Sequence, residues 1–395
     1  MSHKEPDGVI DILRSTVAID SVNRSMSGFG EAEAKLLEYL AFAATALGFT
    51  IRRLPVSGHG SNLLVLFEGG GGRPWILFDS HVDTVSVQGM AIDPFGAELR
   101  DGKLWGRGAC DTKGSGAAML WALREYALSG GGPNNVGILY SVDEEVGLSG
   151  IRSFIANDYP AFLRQNGPPV GAVVGEPTSM RPIVAHNGIS RFTVIAHGRS
   201  AHASMPEAGV SAISRMVRII NELESGYIAR LDASHKLTGR ARCSINVIRG
   251  GISSNIIPER CEIEIDRRIV PGETSAQVRH DFEAAMREIA SRSPGLSYEV
   301  EESVLMPPFV EGDGSPILAL VRSALQGAGL SSEPAGATYG THAAFLHGAG
   351  IPALVLGPGD IAQAHSQEEW IDLAELERAV QVYVTIMRGS VPAGG

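Results

Sequence analysis

The stretch WILFDSHVDTVSV, residues 75–87, begins as an apolar run of β-prone residues and then places His81 and Asp83 near its C-terminal end. An apolar run of this length predicts a buried strand. Side chains of a strand alternate between its two faces, so positions 81 and 83 point to the same side. The pair is therefore either a polar strand end capped by solvent or part of a site at the edge of a sheet.

The rest of the first half of the chain alternates strands and helices. Apolar residues at three- and four-residue spacing predict helices over 8–19, 31–47 and 114–128. Further strands are predicted at TIRRL, at NLLVLFEG, and over 136–142 and 170–176. This alternation predicts an α/β fold with a mostly parallel sheet and helices on both of its faces.

A second pattern begins near residue 184 and has the order βαββαβ. Its elements are a strand at 190–197, a helix at 210–225, strands at 243–249 and 260–267, a helix at 274–290 and a strand at 297–303. This order is typical of a small ferredoxin-like α+β sandwich with one antiparallel sheet. An amphipathic helix within residues 371–387 then returns to the style of the first half. We therefore predict a discontinuous catalytic domain, residues 1–183 and 305–395, interrupted by an inserted domain at 184–304.

Composition and charge exclude several classes of function. The chain has 395 residues, a formal net charge of −11 and scattered acids and bases, which disfavours nucleic acid and anionic membranes as partners. Its three cysteines are too few for a disulfide framework and form no CxxC pair. The N-terminal stretch MSHKEPDGVIDIL lacks the long apolar run of an export signal, and no segment has the length of an apolar membrane span. We therefore expect a cytoplasmic protein.

Acidic residues and histidines follow the predicted strands of the large domain. His81 and Asp83 follow WILFDS, Asp111 follows LWGRGAC, Glu144 and Glu145 follow VGILYSVD, Glu176 follows GAVVG, and His365 follows IPALVLGPG. The C-terminal ends of parallel strands gather at one edge of a sheet, where these groups would crowd together. Crowded carboxylates repel one another unless a cation neutralises them. Taken singly, each group could instead be a solvated charge, a turn cap or a surface histidine.

Two histidines and three carboxylates suit zinc or another borderline divalent ion. A carboxylate shared by two ions about 3.5 to 4 Å apart lets five side chains serve a two-metal hydrolytic site. That arrangement leaves Asp83 to orient the ring of His81, and it leaves Glu144 to take a proton from water.

Eight motifs occur along the chain in the order SHVDTV (80–85), GRGACDTKG (106–114), DEEVG (143–147), GEPT (175–178), GRSAHASMPEAGVSAI (198–213), NIIP (255–258), DRRIVPGE (266–273) and GPGDIAQAHSQEEW (357–370). Together they resemble, almost end to end, the zinc aminoacylase and acetylornithine deacetylase family. That family also includes succinyl-diaminopimelate desuccinylase, glutamate carboxypeptidases and related dipeptidases. The resemblance implies a zinc-exopeptidase-like fold, an inserted lid and dimerisation domain, and hydrolysis of a linear amide bond.

The resemblance also implies two Zn²⁺ ions per chain, with Co²⁺ or Mn²⁺ as possible substitutes. It assigns His81 and Glu176 to one ion, Glu145 and His365 to the other, and Asp111 to both as a bridge. The peptide bond between Asp111 and Thr112 is implied to be cis.

The remaining roles implied by the resemblance concern catalysis and substrate binding. Glu144 corresponds to the general base that activates the metal-bridging water, and Asp83 to the residue that orients His81. In a homodimer formed through the lid, His202 is implied to reach the partner's active site and to polarise the scissile carbonyl. Asn255 and Arg268 correspond to lid positions that hold polar groups of the substrate, commonly a carboxylate, which suits the planar fork of arginine.

One position departs from the family pattern. Where relatives carry an acid in a segment GTDA or GTEA, this chain has GTHAAFL, with His342 at the place of the acid. The side chain of His342 either lines the substrate pocket or belongs to a helix start packed under the site.

We predict hydrolysis of an N-acyl amino acid, because GPGDIAQAH and YGTHA look closest to acetylornithine deacetylase. A metallo-dipeptidase or carboxypeptidase of the same family, acting on small peptides, would use the same metal set. A metal-binding scaffold dimer without catalysis is a further alternative, which the intact Glu144 disfavours. A nucleotide-dependent enzyme is excluded because GRGACDTKG lacks the spacing of a phosphate-binding loop.

Overall fold

The structure, a computed structural model, describes residues 4–27 and 32–390. Position 31 of the second predicted helix and the first three residues of the N-terminal stretch lie outside this range. The chain forms two compact units. The first is drawn from residues 1–184, 311–335 and 341–395, and the second from residues 185–310 and 336–340.

The α-helices of the described residues lie mostly in the first unit. They are α1 (Val9–Val17), α2 (Arg24–Ser27), α3 (Ala32–Ala46), α4 (Gly114–Leu128), α5 (Ser149–Ser153), α6 (Tyr159–Asn166), α7 (Ala212–Glu222), α8 (Ser275–Ser291), α9 (Pro316–Gly327), α10 (Ala343–Gly348) and α11 (Leu373–Arg388). Over residues 4–27 and 32–390, none of these helices combines the length and the apolar composition that crossing a membrane requires.

The strands are shorter than the helices on average. They are β1 (Thr50–Val56), β2 (Gly60–Phe67), β3 (Trp75–His81), β4 (Glu98–Arg100), β5 (Lys103–Trp105), β6 (Asn135–Ser141), β7 (Gly171–Val174), β8 (Ile183–His186), β9 (Gly188–His197), β10 (Ala201–His202), β11 (Ser234–His235), β12 (Gly239–Arg240), β13 (Arg242–Gly250), β14 (Ile256–Ile257), β15 (Arg260–Ile269), β16 (Ser297–Met306), β17 (Phe309–Val310), β18 (Ala335–Ala337), β19 (Ala353–Val355) and β20 (Trp370–Asp372).

A mixed sheet with the order β1-β2-β6-β3-β7-β19 forms the centre of the first unit. Strand β3 runs parallel to β6 and β7, and β7 runs parallel to β19. Strands β1 and β2 add an antiparallel edge. Every residue of β3 and β6 is buried, and because strand side chains alternate between faces, both faces of the sheet are covered. The predicted α/β fold, with a largely parallel sheet centre and helices on both faces, is confirmed.

The parallel register brings the ends of the central strands to one edge of the sheet. His81, the last residue of β3, lies opposite Ser141, the last residue of β6. Val174 at the end of β7 lies opposite Asp79 of β3 and opposite Val355 of β19. The loops that follow these four strands therefore start from the same edge, as the sequence predicted.

Helices α4 and α11 pack behind this edge. The ring of Phe78 on β3 contacts that of Tyr383 on α11 edge to face, with a centroid distance of 5.5 Å. Helix α4 begins at Gly114, where a Cβ atom would lie 2.6 Å from the carbonyl oxygen of Ala109. Only glycine therefore fits at this position, immediately after the turn that carries Asp111.

The second unit contains a four-stranded sheet with the order β13-β15-β9-β16, in which all pairs are antiparallel. With α7 and α8, the chain order is the predicted βαββαβ. Phe192 of β9 stacks on Phe282 of α8 with ring centroids 4.3 Å apart, inside the apolar core of this unit. The side chains of Ser211 and Thr274 cap the two helices. That the unit acts as a lid and dimerisation domain stays a prediction.

Candidate metal centre

Asp111 lies at the centre of a cluster of histidines and carboxylates in the first unit. It sits in the turn before α4, and its peptide bond to Thr112 is cis, as expected. Its Oδ1 is 3.0 Å from Nε2 of His81, and its Oδ2 is 3.3 Å from Nε2 of His365. Each carboxylate oxygen of Asp111 therefore faces a different histidine. Burial alone would raise the pKa of Asp111, but its hydrogen bonds to the two histidines hold the pKa well below its usual range.

Two further carboxylates complete the cluster, one beside each histidine. Glu145 Oε1 lies 3.2 Å from His365 Nε2, and Glu176 Oε1 lies 3.9 Å from His81 Nε2. One ligand atom each of His81, Asp111 and Glu145 lies within 4.8 Å of the others, which could hold a metal ion. The structure thus brings all five predicted ligands together, with Asp111 between the two pairs. Their role as ligands stays a prediction.

The donor set of this cluster fits divalent metal ions. Burial and the repulsion of Asp111 raise the pKa of Glu145 to about 7, and the same causes raise the pKa of Glu176 well above its usual range. Hydrogen bonds to Asp111 and Glu145 raise the pKa of His365 to about 10. In the metal-free protein these groups therefore hold protons to offset the crowded negative charge. Metal cations would neutralise the same charge while coordinating imidazole and carboxylate ligands.

Asp83 is fully buried and holds the loop after β6. Its carboxylate accepts the backbone N–H groups of Glu144 at 2.9 Å and Glu145 at 3.0 Å. The Nδ1 atom of His81 lies 2.9 Å from the carbonyl oxygen of Asp83 and 3.6 Å from its Oδ1. The backbone carbonyl is therefore the nearer acceptor for His81, while the carboxylate positions the predicted base and a predicted ligand.

Two residues that the sequence interpretation missed support the same loop. Asn23 Nδ2 donates to Asp83 Oδ2 at 2.8 Å and to Asp143 Oδ1 at 3.0 Å. Glu33 Oε1 accepts the backbone N–H of Asp143 at 2.8 Å, and burial raises the pKa of Glu33 to about 8. No motif marks either residue in the sequence, since both contacts join positions at least 60 residues apart.

Glu144 and His342 lie close to the cluster. Glu144 is half-buried, and burial raises the pKa of its carboxylate despite the opposing effect of the neighbouring histidines. His342 is buried at the start of α10, where its Nδ1 lies 2.8 Å from Asp79 Oδ2. Burial alone would lower the pKa of His342, but Asp79 outweighs it and raises the pKa. His342 is therefore both a helix-start residue and half of a buried pair with an acid of β3.

The other three predicted residues belong to the second unit. His202 is exposed on β10, which pairs with β14, and its Nδ1 lies 2.7 Å from Ser204 Oγ. The carbonyl of Asn255 accepts the N–H of Ala203 at 3.0 Å, so His202 and Asn255 are neighbours. Arg268 is half-buried on β15, and its Nε donates to Asp266 at 2.6 Å. Their contact with a substrate or with a partner chain stays a prediction.

Comparison with known proteins gives a family match and many similar structures. The profile of the peptidase family M20/M25/M40 matches residues 77–389. The aminopeptidase PepT of Bacillus cereus is 25% identical, with a TM-score of 0.74 over 96% of this chain and 97% of that one. An M20 family metallo-carboxypeptidase of Sulfolobus solfataricus is 16% identical, with a TM-score of 0.80 over 97% and 99%. A dinuclear metal binding peptidase of Bacillus subtilis is 16% identical, with a TM-score of 0.70 over 96% of both chains.

Proposed function

Because this chain belongs to the peptidase family M20/M25/M40, which makes it a metal-dependent amide hydrolase, we propose that it is a deacylase of N-acyl amino acids similar to acetylornithine deacetylase. The observation that carries the hydrolytic part is the placement of Asp111, whose two carboxylate oxygens face His81 and His365 at 3.0 and 3.3 Å. A carboxylate in that position suits a bridge between two metal ions.

The proposed cofactor is a pair of Zn²⁺ ions, which Co²⁺ or Mn²⁺ could replace. His81 and Glu176 would hold one ion, Glu145 and His365 the other, and Asp111 both. When bound, the metals supply Lewis acidity, which lowers the pKa of water and polarises an amide carbonyl. The name of the similar Bacillus subtilis protein, a dinuclear metal binding peptidase, supports the number of ions.

Within this proposal, Glu144 moves the proton. Its half-buried carboxylate takes a proton from the attacking water and returns it to the leaving nitrogen, so that the products are a carboxylic acid and a free amine. The raised pKa of Glu144 suits both halves of this transfer. Asp83 holds the backbone of Glu144 by a hydrogen bond of 2.9 Å and keeps its carboxylate on a defined loop.

The second unit is proposed to act as a lid and as the contact between two copies of the chain. Four apolar side chains of this unit are exposed on or next to α7 and β13: Ile213, Val217, Ile248 and Ile252. Exposed apolar side chains grouped in this way support self-association. In the homodimer, His202 would reach the partner's site and polarise the scissile carbonyl, and Asn255 and Arg268 would hold the substrate carboxylate.

A peptidase of small peptides is the second candidate, because the aminopeptidase PepT of Bacillus cereus is 25% identical over nearly the whole chain. The two substrate classes differ in charge next to the scissile bond. A peptide with a free N-terminus carries an ammonium group there, whereas an N-acyl amino acid carries a neutral acyl group. His342 stands where the family pattern has an acid, so this position lacks the carboxylate that would attract the ammonium group of a peptide, and this favours the acyl substrate.

A hydrolysis screen tests this proposal. Purified protein with measured metal content is assayed on N-acetyl, N-succinyl and N-aromatic acyl amino acids and on dipeptides and tripeptides. We expect two metal ions per chain and faster hydrolysis of an N-acyl amino acid. Exclusive cleavage of peptides would favour the second candidate, and no hydrolysis with a full metal complement would support a metal-binding scaffold.

The role of Glu144 is tested by the nearly isosteric variant Glu144→Gln. It should keep both metal ions and lose hydrolysis, while the control variant Glu98→Gln, on the exposed strand β4, should behave as wild type. Mixed dimers of His202→Ala and Glu144→Gln chains should regain part of the activity if two chains share a site. Retained hydrolysis by Glu144→Gln would refute its role as the base.

The same proposal includes a cytoplasmic location and a small-molecule substrate, without nucleic acid or membrane partners. The net charge of −11 supports the exclusion of anionic partners.

A further inference from the structure

Glu369 is a buried carboxylate, four residues after His365, that contacts the backbone at the predicted bridging residue. Its side chain is fully buried. Its Oε1 accepts the N–H of Cys110 at 3.0 Å and the N–H of Asp111 at 3.1 Å. One carboxylate oxygen of Glu369 thus accepts hydrogen bonds from the two residues whose backbone sets the position of the Asp111 side chain.

Arg107 fixes the other oxygen of this carboxylate. Its Nη1 lies 2.6 Å from Glu369 Oε2, with both side chains buried. Its Nη2 donates to the carbonyl of Ser86 at 3.1 Å, and its backbone N–H donates to Pro94 at 2.8 Å. Arg107 is therefore anchored to two further loops and holds the Glu369 carboxylate in one orientation.

The backbone of Glu369 joins the loop of His365 to the loop of Asp111. Its carbonyl accepts the N–H of Gly106 at 3.0 Å, so both the main chain and the side chain of Glu369 contact the segment 106–111. A shift of the Asp111 backbone would move both of its carboxylate oxygens relative to His81 and His365. Metal sites tolerate ligand displacements of only about 0.2 Å, so this backbone has to be held firmly.

We propose that Glu369 is a positioning residue for the metal centre: its carboxylate, oriented by Arg107, holds the Asp111 backbone so that the Asp111 carboxylate can bridge two metal ions. This inference rests on the proposed function, since it requires both ions. The essential contact is acceptance of the two N–H groups, and the ion pair with Arg107 serves to orient the acceptor. Mutation of groups that orient metal ligands typically lowers metal affinity or activity by about 10- to 100-fold.

Two double variants separate the acceptor from the ion pair. R107M/E369Q and R107M/E369M both remove the buried ion pair, so neither leaves a buried charge without its partner. Glutamine and methionine have similar length, but only glutamine offers an oxygen that can accept the N–H groups of Cys110 and Asp111. The full-length proteins are freed of metal, and Co²⁺ binding is measured by equilibrium dialysis and by the visible absorption of the bound ion. All measurements are made well below both melting temperatures.

We expect wild type and R107M/E369Q to bind two Co²⁺ ions with dissociation constants that agree within a few-fold. R107M/E369M should bind at least one ion about 10 to 100 times more weakly, with an altered Co²⁺ spectrum. Equal affinities and spectra for the two double variants would overturn the positioning role while leaving the proposed function intact. Wild type that binds fewer than two ions would overturn the two-metal proposal itself and this inference with it.

Discussion

The buried pair of Asp79 and His342 provides a measurable test of the electrostatics under the metal centre. Asp79 is 2% exposed and His342 is 1% exposed, and their nearest atoms lie 2.8 Å apart. The hydroxyl of Ser141 donates to the other oxygen of Asp79 at 3.3 Å. The variant His342→Leu keeps an apolar side chain of similar size but leaves the Asp79 carboxylate buried, with Ser141 as its remaining side-chain partner.

An uncompensated buried charge of this kind costs about 3 to 5 kcal/mol of unfolding free energy. For a domain as large as the first unit, about 2 °C of melting temperature is lost per kcal/mol, so His342→Leu should lower it by about 6 to 10 °C. The double variant Asp79→Val/His342→Leu removes both charges and should recover most of this loss.

Because Asp79 raises the pKa of His342, the stabilisation by the protonated ring is full below the ordinary pKa of about 6.5 and is lost as the pH rises through the raised pKa. The gap between wild type and His342→Leu should therefore narrow as the pH rises above about 6.5.

The assay is thermal unfolding of the metal-free protein in excess chelator, so that metal binding does not contribute. Arg53→Ala is the control, because its ion pair with Glu38 is exposed and should matter little for the melting temperature. The single variant Asp79→Val completes the comparison. If the melting-temperature losses of His342→Leu and Asp79→Val simply add in the double variant, Asp79 and His342 do not form a stabilising pair.

Three further predictions concern other parts of the chain. Arg267 is buried in the second unit and donates to Glu273 at 2.5 Å, so Arg267→Met should lower the unfolding free energy of this unit by about 3 kcal/mol in urea titrations. Asp372 accepts the N–H of Glu375 and caps α11, so Asp372→Ala should cost about 1 kcal/mol, read from thermal melts by circular dichroism. At pH 7, metal binding should release protons, because the pKa of His365 is about 10 and that of Glu145 about 7 in the metal-free protein. Calorimetry in two buffers of different ionisation enthalpy measures the number of protons released per metal ion bound. A value of zero would contradict the assignment of His365 and Glu145 as ligands.

The sheet centre and the five grouped side chains could be predicted because both depend on local patterns and one topological rule. A seven-residue run such as β3 is buried on both faces only inside a parallel sheet, and parallel strands end at one edge. The short strands β4 and β20 could not be predicted, since three residues carry too little periodicity. The strand predicted at LWGRGAC was wrong beyond its first two residues, because β5 ends at Trp105 and Asp111 lies in a helical turn. Helix α9 was not predicted either, and α10 was considered only as one of the two alternatives for His342.

The contacts that orient the site were harder to predict than its members. The i, i+2 spacing correctly indicated that Asp83 lies beside His81, but not that its backbone carbonyl would be the nearer acceptor for the His81 ring. That choice depends on the local backbone conformation after the strand. The contacts of Asn23 and Glu369 join residues 60 and 258 positions apart, which no local pattern encodes. Glu369 does lie in the motif GPGDIAQAHSQEEW, so a signal existed, although the motif gives no hint of its partner.

The crowding of negative charge at this site follows from how its backbone is held. The backbone N–H groups of Glu144, Glu145 and Asp111 donate to side chains instead of to the backbone of a strand or helix. The carboxylate of Asp83 accepts the first two, and the carboxylate of Glu369 accepts the third. A carboxylate oxygen can accept two such bonds, so it is an efficient acceptor, but each one adds a buried negative charge. Arg107 offsets the charge of Glu369, and Asn23 supports Asp83 without offsetting its charge. Asp83, which positions the predicted ligand Glu145, thus adds its negative charge to that of the cluster, and divalent cations would neutralise the sum.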